Sequence, residues 1–382
     1  MSYPFAKLKD ISVIKTGKLD SNAAVENGTY PFFTCDPQTL SINTWAYDTK
    51  AVLLAGNNAS GNYTAKYYEG KFNAYQRTYI IESFDDNQLN IRYLCYAMNL
   101  QLQLLKTMSS GSTTKFLTIK MLHGLDIPFP DIATQNRIAD ILSAYDDLIE
   151  NNQKQIKLLE EAAQRLYKEW FVDLRFPEYE NVPVVDGVPQ GWRNCCLADV
   201  ITFNPKVSLD KNRLKQFIPM SALNTSSMIL DCGEFTTTLS NSGSKFQNGD
   251  TLLARITPCL ENGKTAYVSD LDSDEGAVGS TEYIVMRSKH LNSYMVYLLA
   301  RTDDFRQFAI NSMSGSDGRQ RAQVDKLMAL PYMKPTDDLI LLFAMYMEPV
   351  FAQIQMKNKQ NTDLRQARDR LLPKLMSGEL EV

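Results

Sequence analysis

The feature that most constrains this chain is a run of apolar residues at alternating steps of four and three. It occupies Ile138, Leu142, Tyr145, Ile149, Asn152, Ile156, Leu159, Ala163, Leu166 and Trp170. Such heptad spacing keeps one stripe of a helix facing a partner helix. No proline or glycine occurs between Asp140 and Phe171, so we expect about 45 Å of uninterrupted helix at about 1.5 Å per residue. Only Asn152 is polar, and a buried Asn would fix the register of the pair.

A second seam follows about 205 residues later and offers the partner helix. Its positions are Phe343, Met347, Val350, Ile354, Lys357, Asn361, Leu364, Arg368, Leu371 and Leu375. It is more polar than the first, and Pro349 is expected to bend or restart this helix. Two amphipathic helices that merely cover two separate cores are one interpretation. We favour an antiparallel pair that acts as a spacer between two copies of one domain.

The segments around the helices also repeat, which supports two copies of one domain. Short strands with turns precede each long helix, and Leu53–Ala55 in the first half corresponds to Leu252–Ala254 in the second. The helix Tyr294–Ala309 corresponds to Ile91–Leu105, and Ser314–Ser316 corresponds to Ser110–Ser112. The predicted domains are residues 1–130 and 181–334 for recognition, with spacer helices in residues 131–180 and 335–382.

Composition bounds the class of protein. The chain has 382 residues, of which 44% are hydrophobic and 22% charged, values typical of soluble globular domains. Six cysteines without a C-x-x-C motif and two histidines argue against a zinc site or a disulfide framework. We expect no signal peptide in Met1–Lys9, and the apolar run Leu339–Met347 is too short to span a bilayer. These features predict a cytoplasmic protein.

Several motifs come close to enzyme signatures and fail. Pro258–Thr265 ends like a phosphate-binding loop but has Pro where the first Gly must be. Phe203–Lys206 resembles half of an adenine-methyltransferase tetrapeptide, without the second Pro and the aromatic residue. Asp48–Lys50 has nuclease spacing, but no upstream Pro–Asp pair offers a second metal ligand. His123 and His290 have no obvious catalytic companion. The chain is therefore predicted to be no enzyme and to hold no metal.

Cationic and amide side chains near aromatic residues are the candidates for nucleic-acid contact, because Arg and Gln can pair bidentately with base edges. They are Lys66, Lys71, Arg77 and Lys115 in the first half, and Lys245, Arg255, Lys264, Arg319, Gln320 and Arg321 in the second. The net charge of −4 opposes this interpretation. Either the chain does not bind DNA, or its positive charge is localised, or partner subunits supply much of the phosphate contact.

Four stretches of sequence carry a family resemblance. They are Leu158–Val172, Arg175–Pro177, Val188–Trp192 and Asp369–Leu380. The first three resemble the central region of type I restriction-modification specificity subunits, and the last resembles their C-terminus. The resemblance extends over essentially the whole chain.

The resemblance implies an α+β fold in which two α/β target-recognition domains are joined by two long helices that form an antiparallel coiled coil. It implies a non-catalytic subunit that reads a two-part, gapped site on double-stranded DNA. Two methyltransferase subunits would dock on the outer faces of the helices, around Ile156–Phe171 and Thr362–Leu375, and a motor-nuclease subunit would join them. S-adenosylmethionine would be bound by the methyltransferase, with no cofactor in this chain and no membrane contact. The alternatives are a two-domain scaffold for protein partners and a specificity subunit for a fused methylase-nuclease.

Overall fold

The computed structural model describes residues 3–58, 63–108, 115–269, 271–272, 276–315 and 318–382. The segment Ser110–Ser112 and Ser316, compared above as corresponding positions, lie outside these residues. The fold is mixed α and β. Two compact units divide the chain: unit 1 is Met1–Ile149 with Asp363–Val382, and unit 2 is Glu150–Thr362. Each unit therefore takes part of both long helices. The domain boundaries drawn from the sequence stay a prediction.

Helices of very different length occur in the described residues. They are α1 (Leu8–Ile11), α2 (Ile91–Met108), α3 (Ile119–His123), α4 (Ile132–Phe171), α5 (Leu197–Val200), α6 (Ser293–Arg301), α7 (Asp303–Asn311), α8 (Val324–Met328) and α9 (Asp337–Ser377).

Unit 1 contains a six-stranded sheet in the order β2-β8-β5-β7-β3-β4. Its strands are β1 (Phe5–Lys7), β2 (Ser12–Thr16), β3 (Tyr30–Phe33), β4 (Leu40–Ile42), β5 (Tyr47–Ala55), β6 (Asn57–Asn58), β7 (Ala65–Ala74), β8 (Thr78–Ser83), β9 (Lys115–Phe116) and β10 (Asp126–Pro128). The pairs are antiparallel except β3 with β7. Helix α2 buries Leu94, Met98 and Leu105 in the core beside the sheet, as its spacing predicts.

Unit 2 contains two four-stranded sheets, β14-β21-β18-β19 and β16-β15-β20-β17. Its strands are β11 (Val184–Val185), β12 (Val188–Pro189), β13 (Arg193–Cys196), β14 (Ile201–Phe203), β15 (Lys215–Ile218), β16 (Thr236–Thr238), β17 (Ser244–Phe246), β18 (Thr251–Ala254), β19 (Thr265–Tyr267), β20 (Ala277–Gly279), β21 (Tyr283–Ser288) and β22 (Pro331–Lys334). The single parallel pair recorded in these two sheets of the described chain is β15 with β20. In both units, the last strand before the long helix pairs with a strand near the start of its segment: β10 with β1, and β22 with β13.

The two long helices differ from the sequence prediction at their ends and at Pro349. Helix α4 begins at Ile132, where Asp131 accepts a hydrogen bond from the Thr134 backbone N–H at 3.0 Å. The predicted restart of α9 at Pro349 is wrong, because one helix runs from Asp337 to Ser377; a bend at Pro349 stays a prediction. Pro349 leaves the carbonyl of Met345 without a donor, and the Met345 side chain is 64% exposed. Water can therefore satisfy that carbonyl.

Contacts between the portions of α4 and α9 that belong to unit 2 involve the predicted seam. The Asn152 amide donates to Oδ1 of Asn361 at 3.0 Å, and both residues are buried. The Trp170 ring packs against Phe343 and Tyr346, with ring centroids 5.5 and 5.6 Å apart. Residues with higher numbers on α4 therefore contact residues with lower numbers on α9 in this unit.

Other polar contacts attach the long helices to the sheets and helices of their own unit. In unit 2, Oε1 of Glu160 accepts hydrogen bonds from the Ser227 hydroxyl and the Met228 backbone N–H, both at 2.8 Å. In unit 1, Asp146 accepts hydrogen bonds from Tyr96 of α2 and Arg368 of α9. Two of the polar residues in the second seam therefore have hydrogen-bond partners on α4: Asn361 with Asn152, and Arg368 with Asp146.

Two further predictions are corrected. The helix expected over Tyr294–Ala309 is two helices, α6 and α7, because the Thr302 hydroxyl accepts the Phe305 N–H at 3.3 Å and caps a new helix. The linker expected over Asn181–Gly191 contains the hairpin β11–β12, whose turn residues Asp186 and Gly187 have positive φ.

Helix α9 meets the length and hydropathy of a membrane span, with an 18-residue window of mean hydropathy 1.4. A core helix of a globular domain meets the same test. A third of this window is buried, and Phe343, Met347 and Phe351 lie in the hydrophobic core of unit 2. The apolar character of α9 is therefore weak evidence for a membrane.

Candidate nucleic-acid interface

Arg255 is the centre of the candidate cluster in unit 2. It follows β18 directly, and its backbone N–H donates to the Glu282 carbonyl at 2.9 Å. Its own carbonyl accepts the Ala322 N–H at 2.8 Å. The backbone thus ties the end of β18 to two separate loops. The Arg255 Nε is buried without a hydrogen-bond partner among the described residues.

Arg321 lies in one of those loops, and its guanidinium is already engaged. Its Nε and Nη2 donate to the Glu282 carboxylate at distances from 2.6 to 3.1 Å. These bonds lower the pKa of Glu282 and raise that of Arg321. The edge of Arg321 predicted to read a base is therefore partly occupied by a protein carboxylate, which fixes the plane of the guanidinium.

The other second-half candidates surround the same junction. The Gln320 carbonyl accepts the Thr257 N–H at 3.1 Å, and the Lys264 carbonyl accepts the Ala254 N–H at 3.0 Å. The Lys264 ammonium is bound to the Met220 carbonyl at 2.9 Å, so its charge points away from solvent in part. Arg319 is exposed, and its guanidinium has no hydrogen-bond partner among the residues described. Lys245 lines a groove together with Arg255.

Two of the four first-half candidates, Lys66 and Arg77, contact the loop between β3 and β4. The Lys66 ammonium donates to the Pro37 carbonyl and, at 3.0 Å, to the Thr39 hydroxyl. Burial lowers the pKa of Lys66, which nearby Asp36 opposes. The Arg77 carbonyl accepts the Cys35 thiol at 3.6 Å, and the Arg77 guanidinium lies 5.6 Å from the centre of the Phe116 ring.

The remaining two candidates lie apart from each other. Lys115, on β9, adjoins Phe116 and so belongs with Arg77. Lys71 is at the other end of β7, paired in register with Asp48, and its ammonium lies 4.6 Å from the ring centre of Trp45. Such cation–aromatic pairs are typical surfaces for bases and phosphates.

The two units share a pattern of hydrogen bonds at these junctions. In unit 1, the Gly56 N–H donates to the Arg77 carbonyl at 2.8 Å, and the Leu117 N–H donates to the Gly56 carbonyl at 2.9 Å. Gly56 thus corresponds to Arg255 of unit 2. By the same bonds, Arg77 corresponds to Glu282, and Phe116 to Arg321. The cation–π pair Arg77–Phe116 of unit 1 therefore occupies the positions of the ion pair Glu282–Arg321 in unit 2.

The predicted seam residues are buried or half-buried throughout. Buried are Ile138, Leu142, Ile149, Asn152, Ile156, Ala163, Trp170, Ile354, Asn361 and Leu375; half-buried are Tyr145, Leu159, Leu166, Leu364 and Leu371. A continuous pairing of the two seams stays a prediction.

Sequence reasoning missed several cationic residues that the structure places near aromatic rings in unit 1 or beside Arg255 in unit 2. Arg92 lies 4.8 Å from the ring centre of Tyr67, and burial together with a hydrogen bond to Glu69 raises the pKa of that tyrosine to about 12. Lys206 and Lys211 line the groove beside Arg255. Lys206 belongs to the Phe203–Lys206 stretch, which resembles half of an adenine-methyltransferase tetrapeptide. Among the described residues, no group of three or more His, Cys, Asp or Glu side chains is arranged to hold a metal ion.

Comparison with known proteins gives one consistent result. The sequence model of a family described as "Type I restriction modification DNA specificity domain" matches residues 3–161. The EcoDI specificity subunit of Escherichia coli is 35% identical over 159 residues, which are 42% of this chain and 34% of that protein. The MjaIX specificity subunit of Methanocaldococcus jannaschii is 26% identical over 313 residues, an alignment that covers 76% of this chain and 68% of that protein. The alignment thus spans about a third of the Escherichia coli protein.

The fold agrees with these sequence matches. A crystal structure of a type I restriction-modification S subunit from M. genitalium aligns over 98% of this chain and 96% of its own length, with a TM-score of 0.61 and 14% identity. The fold of this chain is therefore similar to that of the M. genitalium protein. Together with the sequence matches, it supports the resemblance: the chain is similar in sequence and in fold to type I restriction-modification specificity subunits.

Proposed function

We propose that this chain is the DNA specificity subunit of a type I restriction-modification complex. It is non-catalytic, and each unit reads one half of a two-part, gapped target on double-stranded DNA. The observation that carries the proposal is the pair of corresponding junctions at Gly56 and Arg255. The same backbone bonds hold different side chains in the two units. A common frame with different exposed chemistry is what two unlike half-sites require.

Base readout in each unit would come from side chains at these junctions. Arg319 is exposed and without a protein partner among the described residues, so its fork is free to pair with a guanine edge. Arg321 is held by Glu282, which orients the guanidinium before DNA arrives. In unit 1 the corresponding pair, Arg77 and Phe116, offers a cation and a ring face. The halves of the target should therefore differ in sequence.

The finer architecture belongs to the same proposal. Two repeated target-recognition domains would be joined by α4 and α9, paired as an antiparallel coiled coil whose length sets the gap between the half-sites. The decreasing partner positions along α4 support an antiparallel arrangement, and the buried Asn152–Asn361 contact supports a fixed register.

Two methyltransferase subunits that bind S-adenosylmethionine would dock on the outer faces of these helices, and a motor-nuclease subunit would complete the complex in the cytoplasm. Exposed apolar side chains support such docking. Leu158 is 64% exposed, within the predicted surface, and Leu341 and Met345 add to it on α9. Large exposed apolar side chains on a helix are typical of protein interfaces. Partner subunits would also explain how a chain of net charge −4 holds DNA.

The test is modified-base sequencing of genomic DNA with the gene intact, deleted, and carrying Arg319→Ala. Deletion should abolish adenine methylation at one two-part, gapped motif. Arg319→Ala should relax one position of the second half-site, by about 1–3 kcal/mol of discrimination, and leave the first half-site unchanged. An unchanged methylation pattern in the deletion strain, with the methyltransferase expressed, would refute the proposal.

A further inference from the structure

A groove of about 660 Å³ opens in unit 2 beside the junction at Arg255. Among the described residues that line it are four cations and no carboxylate. The cations are Lys206, Lys211, Lys245 and Arg255. Such a concentration stands out in a chain with more acidic than basic residues. A groove lined by one sign of charge attracts ligands of the opposite sign.

The charges of this groove are largely unneutralised. Lys206, Lys211 and Lys245 have no ion pair or side-chain hydrogen bond with the described residues. The Nε of Arg255 is buried and unpartnered, and so is the Oδ1 of Asn241 on the same groove wall. Buried polar atoms normally have partners, so these two atoms indicate a ligand that supplies both an acceptor and a donor, or an acceptor with its bound water.

The loop that carries two of these lysines is held in place by other residues. Asn204 has a left-handed backbone, with φ of 47°, and its Oδ1 accepts the Val285 N–H at 3.0 Å. The Asn241 amide donates to the Leu209 carbonyl at 3.1 Å. The buried Lys215 ammonium binds the Asp210 and Arg213 carbonyls, both at 2.7 Å. The loop is therefore held in place by contacts within the protein itself, which lowers the entropic cost of binding.

We infer that this groove binds the sugar-phosphate backbone of DNA next to the second half-site. The inference rests on the proposed function and adds to it the surface that holds phosphate. Three of the four cations are lysines, which act as point charges and match phosphate without the fork geometry that reads bases. The base-reading side chains, Arg319 and Arg321, lie on the loop that is bound to Arg255 through Ala322. The groove thus positions the duplex, and the adjacent loop reads it.

The test uses the complex of this chain with its methyltransferase subunits and the variant Lys206→Ala/Lys211→Ala. Dissociation constants are measured between 50 and 300 mM salt, on the order of the physiological range, for the target duplex and for a scrambled one. Each lost phosphate contact lowers the slope of log affinity against log salt by about 0.9. The double variant should therefore lose nearly two units of slope on both duplexes and methylate the same motif.

Lys289→Ala is the matched control, because Lys289 is an exposed lysine of the same unit that follows the other end of β21. It should leave affinity and slope unchanged. The inference is overturned if the double variant behaves like this control. It is also overturned if the double variant loses affinity for the target duplex alone, which would indicate base contacts. A wild-type complex that shows no preference for the target duplex would instead refute the proposed function itself.

Discussion

The buried amide pair Asn152–Asn361 allows the helix pairing to be tested directly. The two side chains are 3% and 2% exposed, and the Asn152 amide nitrogen lies 3.0 Å from Oδ1 of Asn361. Asn152→Leu removes the donor and leaves the Asn361 amide buried against hydrocarbon. An unsatisfied buried polar group costs about 1–3 kcal/mol. Asn361→Leu has the reciprocal effect. The double variant buries two apolar side chains with no amide left unpaired, so it should be near neutral or stabilising.

The assay is urea unfolding followed by tryptophan fluorescence in a Trp45→Phe background. The chain has three tryptophans, and Trp170 and Trp192 both belong to unit 2. The signal then reports unit 2, with Trp170 packed against Phe343 of α9. Each single variant should lower the free energy of unfolding by about 1–3 kcal/mol, and the double-mutant cycle should give a coupling energy of about 1 kcal/mol or more.

Gln153→Leu is the matched control, since it makes the same kind of substitution one residue away on the exposed face of α4. It should change stability by less than about 0.5 kcal/mol. The reasoning is refuted if both single variants match this control. It is equally refuted if the effects of the two single variants simply add in the double variant, because independent sites would then have been changed.

Three further predictions concern the spacer, the base-reading junction and the attachment of α4. Removing one heptad from each helix, residues 150–156 and 357–363, shortens them by about 10 Å, so the gap in the methylated motif should shrink by about three base pairs with both half-sites unchanged. Glu282→Gln removes a negative charge and frees the Arg321 guanidinium to rotate, so affinity for scrambled DNA should rise while discrimination at the second half-site falls by about 1–3 kcal/mol. Glu160→Gln should flatten the pH dependence of unit 2 stability. Burial raises the pKa of the Glu160 carboxyl, so the folded state holds this proton more tightly than the unfolded chain. The wild type therefore loses stability as pH rises from the ordinary carboxyl range through the raised folded pKa. Gln keeps the acceptor oxygen without titrating.

Each of these predictions has a contradicting result. A shortened spacer that altered the half-site sequences would show that the helices do not act as a ruler. Unchanged discrimination together with stronger binding in Glu282→Gln would mean that the carboxylate only repels DNA. Parallel stability curves for wild type and Glu160→Gln between about pH 4 and pH 8 would show that the carboxyl does not titrate differently in the folded unit.

Periodicity in the sequence alone determined the long helices and the recurrence of short elements. A seam of four-three steps without proline or glycine has one stable solution, a long helix with one buried face, and α4 and α9 contain both predicted seams. Strand pattern likewise located the ends of β5 and β18, at Leu53–Ala55 and Leu252–Ala254. These are local properties, because each depends on neighbours within a few positions along the chain.

The chemistry at the interface was decided by tertiary structure. Arg321 and Glu282 are 39 residues apart, and only the folded backbone around Arg255 brings them into an ion pair. The cationic groove joins the Asn204–Lys211 loop to Lys245 in the same way. The effect of Pro349 on α9 also depends on tertiary structure, since it depends on whether the affected carbonyl reaches water.

The sequence by itself thus determined the long helices and the resemblance to specificity subunits, because helical periods and helix motifs are carried by residues close together in the chain. Which cations are free for DNA and which are bound to protein carboxylates or carbonyls depends on partners distant in sequence. Charge neutralisation acts through space and not along the chain, so only the tertiary structure could separate Arg319, whose guanidinium is exposed, from Arg321 and Lys264, whose charges are already held.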